Sequence, residues 1–262
     1  MKCPRTANSL EPLRRTPNLV RGLLIALAWQ AHTAMAGTLS IIGGDRYVRV
    51  AHIIDGDTFV TKRGEKVRLL GINTPEIMHD EQPGEALGDA ARARLAQLIA
   101  GHLVRLAFDR DKRDDYGRLL AQVYDRGRWI NAQLVEEGIA HVYTFAPNFR
   151  WAPALLQRER QARRLGLGIW RTSRFMVLSA NRLRPSHLGQ FRLVQGTVTH
   201  AARWRFRLGK LHVSVPRKYR AYFGHGLTVK HGARVLVRGK LRLSRQGTWF
   251  LALHTPFDLE VE

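Results

Sequence analysis

The chain has one cysteine, Cys3, among 262 residues. A lone thiol excludes an internal disulfide framework and a cysteine-based metal site. Acid is scarce: 21 Asp and Glu stand against 43 Lys and Arg, for a net charge of +22. That excess points to a polyanionic partner, nucleic acid first and a membrane surface second. The alternative is an Arg-rich surface whose charges are merely solvated. The histidines are scattered, without H-x-x-x-H or paired spacing, so no zinc pattern is present. No short repeat or low-complexity tract stands out. The apolar run Leu23 to Trp29 is too short for a comfortable transmembrane helix.

That run has its own meaning. Arg5, Arg14, Arg15 and Arg21 precede it, and Ala34-Met35-Ala36 follows before Gly37. Basic region, short apolar core and A-x-A site predict a secretory signal over residues 1–36. The expected location is secreted or periplasmic, with an uncleaved membrane anchor as the alternative.

Turn signals divide the rest. Residues 47–54, 58–61 and 66–72 read as a three-strand meander broken at Asp55-Gly56-Asp57 and Lys62-Arg63-Gly64. Helical spacing of Leu87, Ala91, Leu95, Leu98 and Ile99 predicts a helix over 86–100. Strands follow at 103–109 and 119–124, then helices near 130–137 and 153–165. The fold class is mainly β with helices (α+β). Five strands with three inserted helices suit a Greek-key barrel of the OB type over 47–171. Residues 172–190 read as a linker. Over 191–262 strand patterns return, with alternation at Trp204, Phe206 and Leu208 and again at Leu211, Val213 and Val215. A second small OB-like barrel is expected. Its residues Arg234, Arg238, Lys240 and Arg242 share a strand face with Leu236, and that face is a candidate polyanion surface. Trp204 and Phe206 are core residues or stacking platforms.

Three stretches offer chemistry. Asp55-Gly56-Asp57-Thr58 is a turn whose Asp57 carboxylate suits a hard cation such as calcium. In Arg68-Leu-Leu-Gly-Ile-Asn-Thr-Pro-Glu76, a strand presents an arginine that can fork onto a phosphate. Pro75 fixes the turn, Thr74 offers a carbonyl and Glu76 projects from a restrained loop; the simpler alternative is an Arg68–Glu76 surface ion pair. Asp114-Asp115-Tyr116-Gly117-Arg118 is a turn that brings a second arginine to a strand start.

The order D-G-D-T, R-L-L-G-I-N-T-P-E, D-Y-G-R, N-x-x-L-V-x-x-G-x-A (Asn131 to Ala140) and G-x-G-I-W (Gly166 to Trp170) resembles the staphylococcal nuclease family over about residues 47 to 171. The resemblance implies calcium-dependent hydrolysis of DNA and RNA by attack of water. It implies that Arg68 and Arg118 bind phosphate and that Glu76 is the general base. Asp57 and the Thr74 carbonyl match calcium ligands, and Asp55 matches a carboxylate behind them. Tyr116 matches a nucleotide contact, and Tyr143 the tyrosine beside the base. Two positions depart from the pattern. Asn73 stands where the archetype has a ligating aspartate, which implies weaker calcium binding or tolerance of another divalent cation. Asp115 stands where the archetype has a lysine, which argues against tight binding of a free terminal phosphate. No stable protein partner is implied. The rival expectation is a nuclease fold that binds nucleic acid without cutting it.

Overall fold

The computed structural model describes residues 45–78 and 84–262, so the expected signal segment lies outside the described residues. The first half contains β1 (Arg46–Ile53), β2 (Thr58–Thr61), β3 (Lys66–Leu69), β4 (Ile72–Asn73), α1 (Gly88–Ile99), β5 (Leu103–Ala107), β6 (Leu119–Asp125), β7 (Arg128–Trp129), α2 (Ile130–Glu136), β8 (His141–Val142) and α3 (Ala152–Arg164). β1 pairs antiparallel with β2 and β5, β2 with β3, and β5 with β6. The parallel pairing of β3 with β6 closes the ring. The result is the expected five-stranded OB-type barrel with three α-helices. Closure leaves these strands no free edge, and Val50, Phe59, Val67, Leu69, Leu106 and Val123 fill the interior.

Each helix forms where its apolar spacing demands burial. In α1, Ala91, Leu95 and Leu98 with Ile99 face the barrel. Proline in the first turn of α3 costs nothing there, because that N–H has no helical partner. One face of α3 buries Leu155, Leu156 and Ala162, and also the carboxylate of Glu159. Asn131 of α2 is fully buried. Its amide donates to the carbonyl of Leu70 at 3.0 Å and its oxygen accepts from the amide of Val123 at 2.8 Å. This single side chain ties α2 to the strand end that carries the Arg68 stretch.

The second half contains β9 (Leu178–Ser179), β10 (Phe191–Ala202), β11 (Arg205–Leu208), β12 (Leu211–Ser214), β13 (Arg234–Lys240), β14 (Arg242–Leu243), β15 (Trp249–Ala252) and β16 (Leu259–Val261). They pair into one sheet curled around Val194, Phe206, Leu208, Val213, Val235 and Leu251. Phe206 is thus a core residue. Trp204 lies in the turn before β11, with the guanidinium groups of Arg203 and Arg220 at 5.1 and 5.0 Å from its ring. The segment 172–190 is a packed joint: Phe175 and Ala180 are buried, and β9 runs parallel to β10. Its short 3-10 turns at Ala180–Arg182 and Pro185–His187 explain why its sequence shows no helix or strand period.

The arginine face of β13 departs from expectation. Arg238 is 1% exposed and pairs with Glu159 of α3 at 2.8 Å and with Glu260. Glu159 also accepts the Val142 amide of β8 at 2.8 Å. Leu236 on the same face is buried too, so the middle of this face is an interface with the first barrel, while Arg234, Lys240 and Arg242 at its ends stay exposed. Arg160 and Arg163 of α3 add ion pairs to Glu260 at 3.2 and 3.3 Å. Among the described residues no helix is long and apolar enough to cross a membrane.

Candidate active site

The turn before β2 is built by its own side chains. Asp55 accepts the backbone N–H of Asp57 at 2.9 Å, a short-range bond that sets the turn without a sheet partner. Gly56 is needed because a Cβ there would lie 2.6 Å from both the Ala91 Cβ and the Thr74 Oγ1. The close approach brings α1 and the Thr74 loop against the turn.

Asp57 is the hub. Its Oδ1 accepts the Thr58 hydroxyl at 3.0 Å, and its Oδ2 accepts the Thr74 backbone N–H at 3.0 Å. The same Oδ2 lies 3.0 Å from Arg68 Nη2. The register explains the pair: Thr58 is the cross-strand partner of Arg68, so the residue before Thr58 reaches the guanidinium. Arg68 pairs with Asp57, then, and the alternative Arg68–Glu76 ion pair is not formed. Burial is the largest influence on the Asp57 carboxyl and raises its pKa, opposed by Arg68 and assisted by Asp55.

Arg68 is held on several sides. Nη1 donates to the carbonyls of Leu69 at 2.7 Å and Ile72 at 2.9 Å, and Nη2 to Asn73 Oδ1 at 2.8 Å. Asn73 in turn donates to the Thr74 carbonyl at 2.9 Å. All four terminal N–H groups of Arg68 are thus engaged within the chain, so the guanidinium is held in place and the expected two-bond fork onto a phosphate is not open in this arrangement.

Glu76 follows on the exposed loop. Its carboxyl pKa is raised, first by desolvation and then by repulsion from Asp57 and Asp55, with Arg68 opposing. The loop is clamped from below: the Glu85 N–H donates to the Glu76 carbonyl at 2.8 Å, and Glu85 Oε2 accepts the Glu76 N–H at 3.2 Å. Gly88 at the start of α1 presses on the same peptide, since a Cβ there would fall 2.4 Å from the Glu76 oxygen. Glu85 is fixed by Arg174 at 2.7 Å, and Arg174 also donates to the Phe191 carbonyl at 3.2 Å. Sequence reasoning missed Glu85 and Arg174, because only the folded chain brings residue 174 to this loop.

Arg118 reaches the site through the sheet. It lies two residues before Leu120, the register partner of Arg68 on the adjacent strand. Its Nε donates to Asp114 at 2.7 Å, and its guanidinium sits 5.6 Å from the ring of Tyr116. Burial pushes the Asp114 carboxyl up, but the hydrogen bonds and charge of Arg118 outweigh it and hold the carboxyl low. Among the described residues the terminal nitrogens of Arg118 make no hydrogen bond, so their donors are available. Tyr116 is 86% exposed. Tyr143 is anchored by its N–H to the Gly71 carbonyl at 3.0 Å. Burial raises its phenol pKa, and Arg68 is the first group to oppose that shift.

Asp57, Asn73, Thr74 and Glu76 offer only hard oxygens. The mutual repulsion of Asp55, Asp57 and Glu76 is the kind that a divalent cation relieves. Among the described residues no three His, Cys, Asp or Glu side chains form a ready metal cage. The oxygens are of the kind a hard cation takes, but here Asp57 Oδ2 accepts from Arg68 and the Thr74 N–H, Asn73 Oδ1 from Arg68, and the Thr74 carbonyl from Asn73.

The family model described as staphylococcal nuclease homologue matches residues 66–172. The chain is 33% identical over 132 residues to a thermonuclease of Staphylococcus intermedius, covering 49% of this chain and 78% of that protein. It is 31% identical over 125 residues to a thermonuclease of Staphylococcus hyicus, covering 47% and 74%. To the endonuclease YncB of Bacillus subtilis (strain 168) it is 36% identical over 135 residues, covering 50% and 64%.

Proposed function

The chain belongs to the staphylococcal nuclease family, and on that premise we propose that it is an endonuclease cutting DNA and RNA with divalent-cation assistance. As a member it is a hydrolase, a nuclease. The observation that carries the finer reading is one juxtaposition. Glu76, a carboxyl held above its usual range, shares a turn cluster with a preset arginine, Arg68, and a buried carboxylate, Asp57.

A phosphodiester resists water because the nucleophile is weak and the five-coordinate phosphorus is crowded with negative charge. Glu76 takes the proton of the attacking water, and its raised pKa makes it the stronger base once ionised. Arg118 offers free terminal N–H groups to a phosphate oxygen, and Arg68 places its charge beside the same phosphate from a fixed position. Such bonds strengthen as charge builds on the oxygens. Asp57 and the Thr74 carbonyl would hold the cation, with Asn73 beside them, and Asp55 fixes the turn that carries Asp57. When bound, the cation adds positive charge at the phosphate and orders water. Tyr116 and Tyr143 flank the nucleotide.

Asn73 favours a second reading, because its oxygen is engaged by Arg68 and brings no charge to a cation. In that reading the chain binds nucleic acid without cutting it. The discriminating experiment incubates the chain with single-stranded DNA, duplex DNA and RNA, in calcium or in chelator. Metal-dependent cleavage supports the enzyme. Binding without cleavage in calcium, magnesium and manganese overturns it, and cleavage that survives chelation removes the cation. We also propose export, from the pattern of residues 1–36. Sequencing the exported protein from Gly37 supports this, and an intact N-terminus in the membrane fraction supports the anchor.

A further inference from the structure

Tyr143 joins two regions. Its backbone N–H donates to the Gly71 carbonyl at 3.0 Å, three residues past Arg68, and it also forms a wall of a separate cleft of about 370 Å³ on the second sheet. The cleft is lined by Tyr143, Phe191, Tyr219, Lys218, Lys240 and Arg242, among others. Its aromatic groups are fixed in place. Phe191 meets Tyr143 edge-on at 5.2 Å and stacks on buried His141 at 4.9 Å. Tyr219 stacks on His254 at 4.5 Å, with the Lys218 ammonium 4.7 Å from its ring.

The charge of the cleft is one-sided. Lys218, Lys240 and Arg242 are exposed, and among the described residues none of the three has a carboxylate partner. Asp258 is the carboxylate in the lining, and it is turned inward. Its Oδ2 accepts the N–H groups of His254 at 2.7 Å and Thr255 at 2.8 Å, and its Oδ1 accepts the Thr144 hydroxyl at 3.3 Å.

We propose that this cleft binds the single-stranded continuation of the nucleic acid whose scissile phosphate sits at Arg68 and Glu76. This rests on the nuclease reading of the neighbouring site and extends it. Three unpaired cations suit consecutive phosphates, and flat rings suit unstacked bases, which present a face of their own. A duplex keeps its bases stacked and cannot use the rings. A cleft of this volume matches a small-molecule pocket, room for a base and its sugar. Tyr143 belongs to both sites, so one strand can pass from one to the other.

The test uses the full chain with Glu76→Gln, so that strands stay intact, with and without the triple change Lys218→Gln, Lys240→Gln and Arg242→Gln. Probes are labelled oligo(dT) of about twenty nucleotides, longer than the site of a single such barrel, a dinucleotide, a duplex, and an abasic strand of equal length. The triple change should weaken the long strand on the order of tenfold and lower the slope of log affinity against log salt by about 2, at roughly 0.7 per lost phosphate contact. The dinucleotide and the duplex should weaken by much less. The unaltered cleft should prefer the base-bearing strand to the abasic one by on the order of tenfold. Unchanged long-strand affinity and slope overturn the proposal, as does an equal loss for the dinucleotide or the duplex. Equal affinity for the abasic strand overturns the stacking role. If the wild-type chain fails to cut any substrate, the nuclease reading falls, while the binding arm still decides whether the cleft holds a strand.

Discussion

At the scale of the residue, catalysis depends on where one carboxyl sits. Glu76 is placed by its own peptide, gripped between the Glu85 N–H and Gly88. Gly88→Ala would drive a methyl into the Glu76 carbonyl, so the loop must move. We expect kcat to fall on the order of 10²-fold, with stability reduced by about 1–3 kcal/mol. Steady-state kinetics alongside urea unfolding checks both; an unchanged kcat would show that the loop position does not matter. Much of this site was legible in the sequence. Asp55, Asp57, Arg68 and Glu76 lie within one meander, and short-range turns carried them together. The partner of Arg68 was not legible, because a choice between Asp57 and Glu76 is set by the Thr58–Arg68 register.

At the scale of the element, strand periods were legible wherever one face met water. β11 and β12 alternate cleanly, and a two-residue turn at Gly209-Lys210 joins them. β13 misled at Arg238, which is buried while Arg234 and Lys240 on the same face are exposed, and a buried arginine looks the same in sequence as a solvated one. Leu236 was the signal on that face. Arg238→Met would leave Glu159 charged and without its partner in the interior. We expect a loss of about 3–5 kcal/mol by chemical denaturation, partly recovered when Glu159→Gln is added. A loss below 1 kcal/mol would contradict burial of the pair. Asp258 gives a pH test. Burial raises its pKa from 3.8 to about 6, against the pull of its hydrogen bonds. A carboxyl raised on folding contributes stability that is complete below about 3.8 and lost as pH rises through about 6. Asp258→Asn should therefore gain on wild type by roughly 2 kcal/mol between pH 4 and pH 7. Unfolding curves with a constant difference would refute the shift.

At the scale of the whole molecule, the second sheet bears on the catalytic loop. Arg174 lies in the joint between the two halves and holds Glu85, which holds Glu76. The pair is partly exposed, so its direct stability contribution is below about 1 kcal/mol. Arg174→Gln should thus leave the unfolding midpoint nearly unchanged, yet lower kcat several-fold with little change in KM. Equal kinetics would show that the relay is passive. No sequence pattern marks this contact, since its residues are 89 positions apart. Whether Glu76 is the base is decided by the pH profile of kcat/KM on single-stranded DNA in calcium, for wild type and Glu76→Gln. Wild-type activity should climb as pH rises through the elevated Glu76 pKa, and the variant should be about 10²–10⁴-fold slower without that climb. A variant as fast as wild type, or one that keeps the same acid limb, would contradict Glu76 as the base.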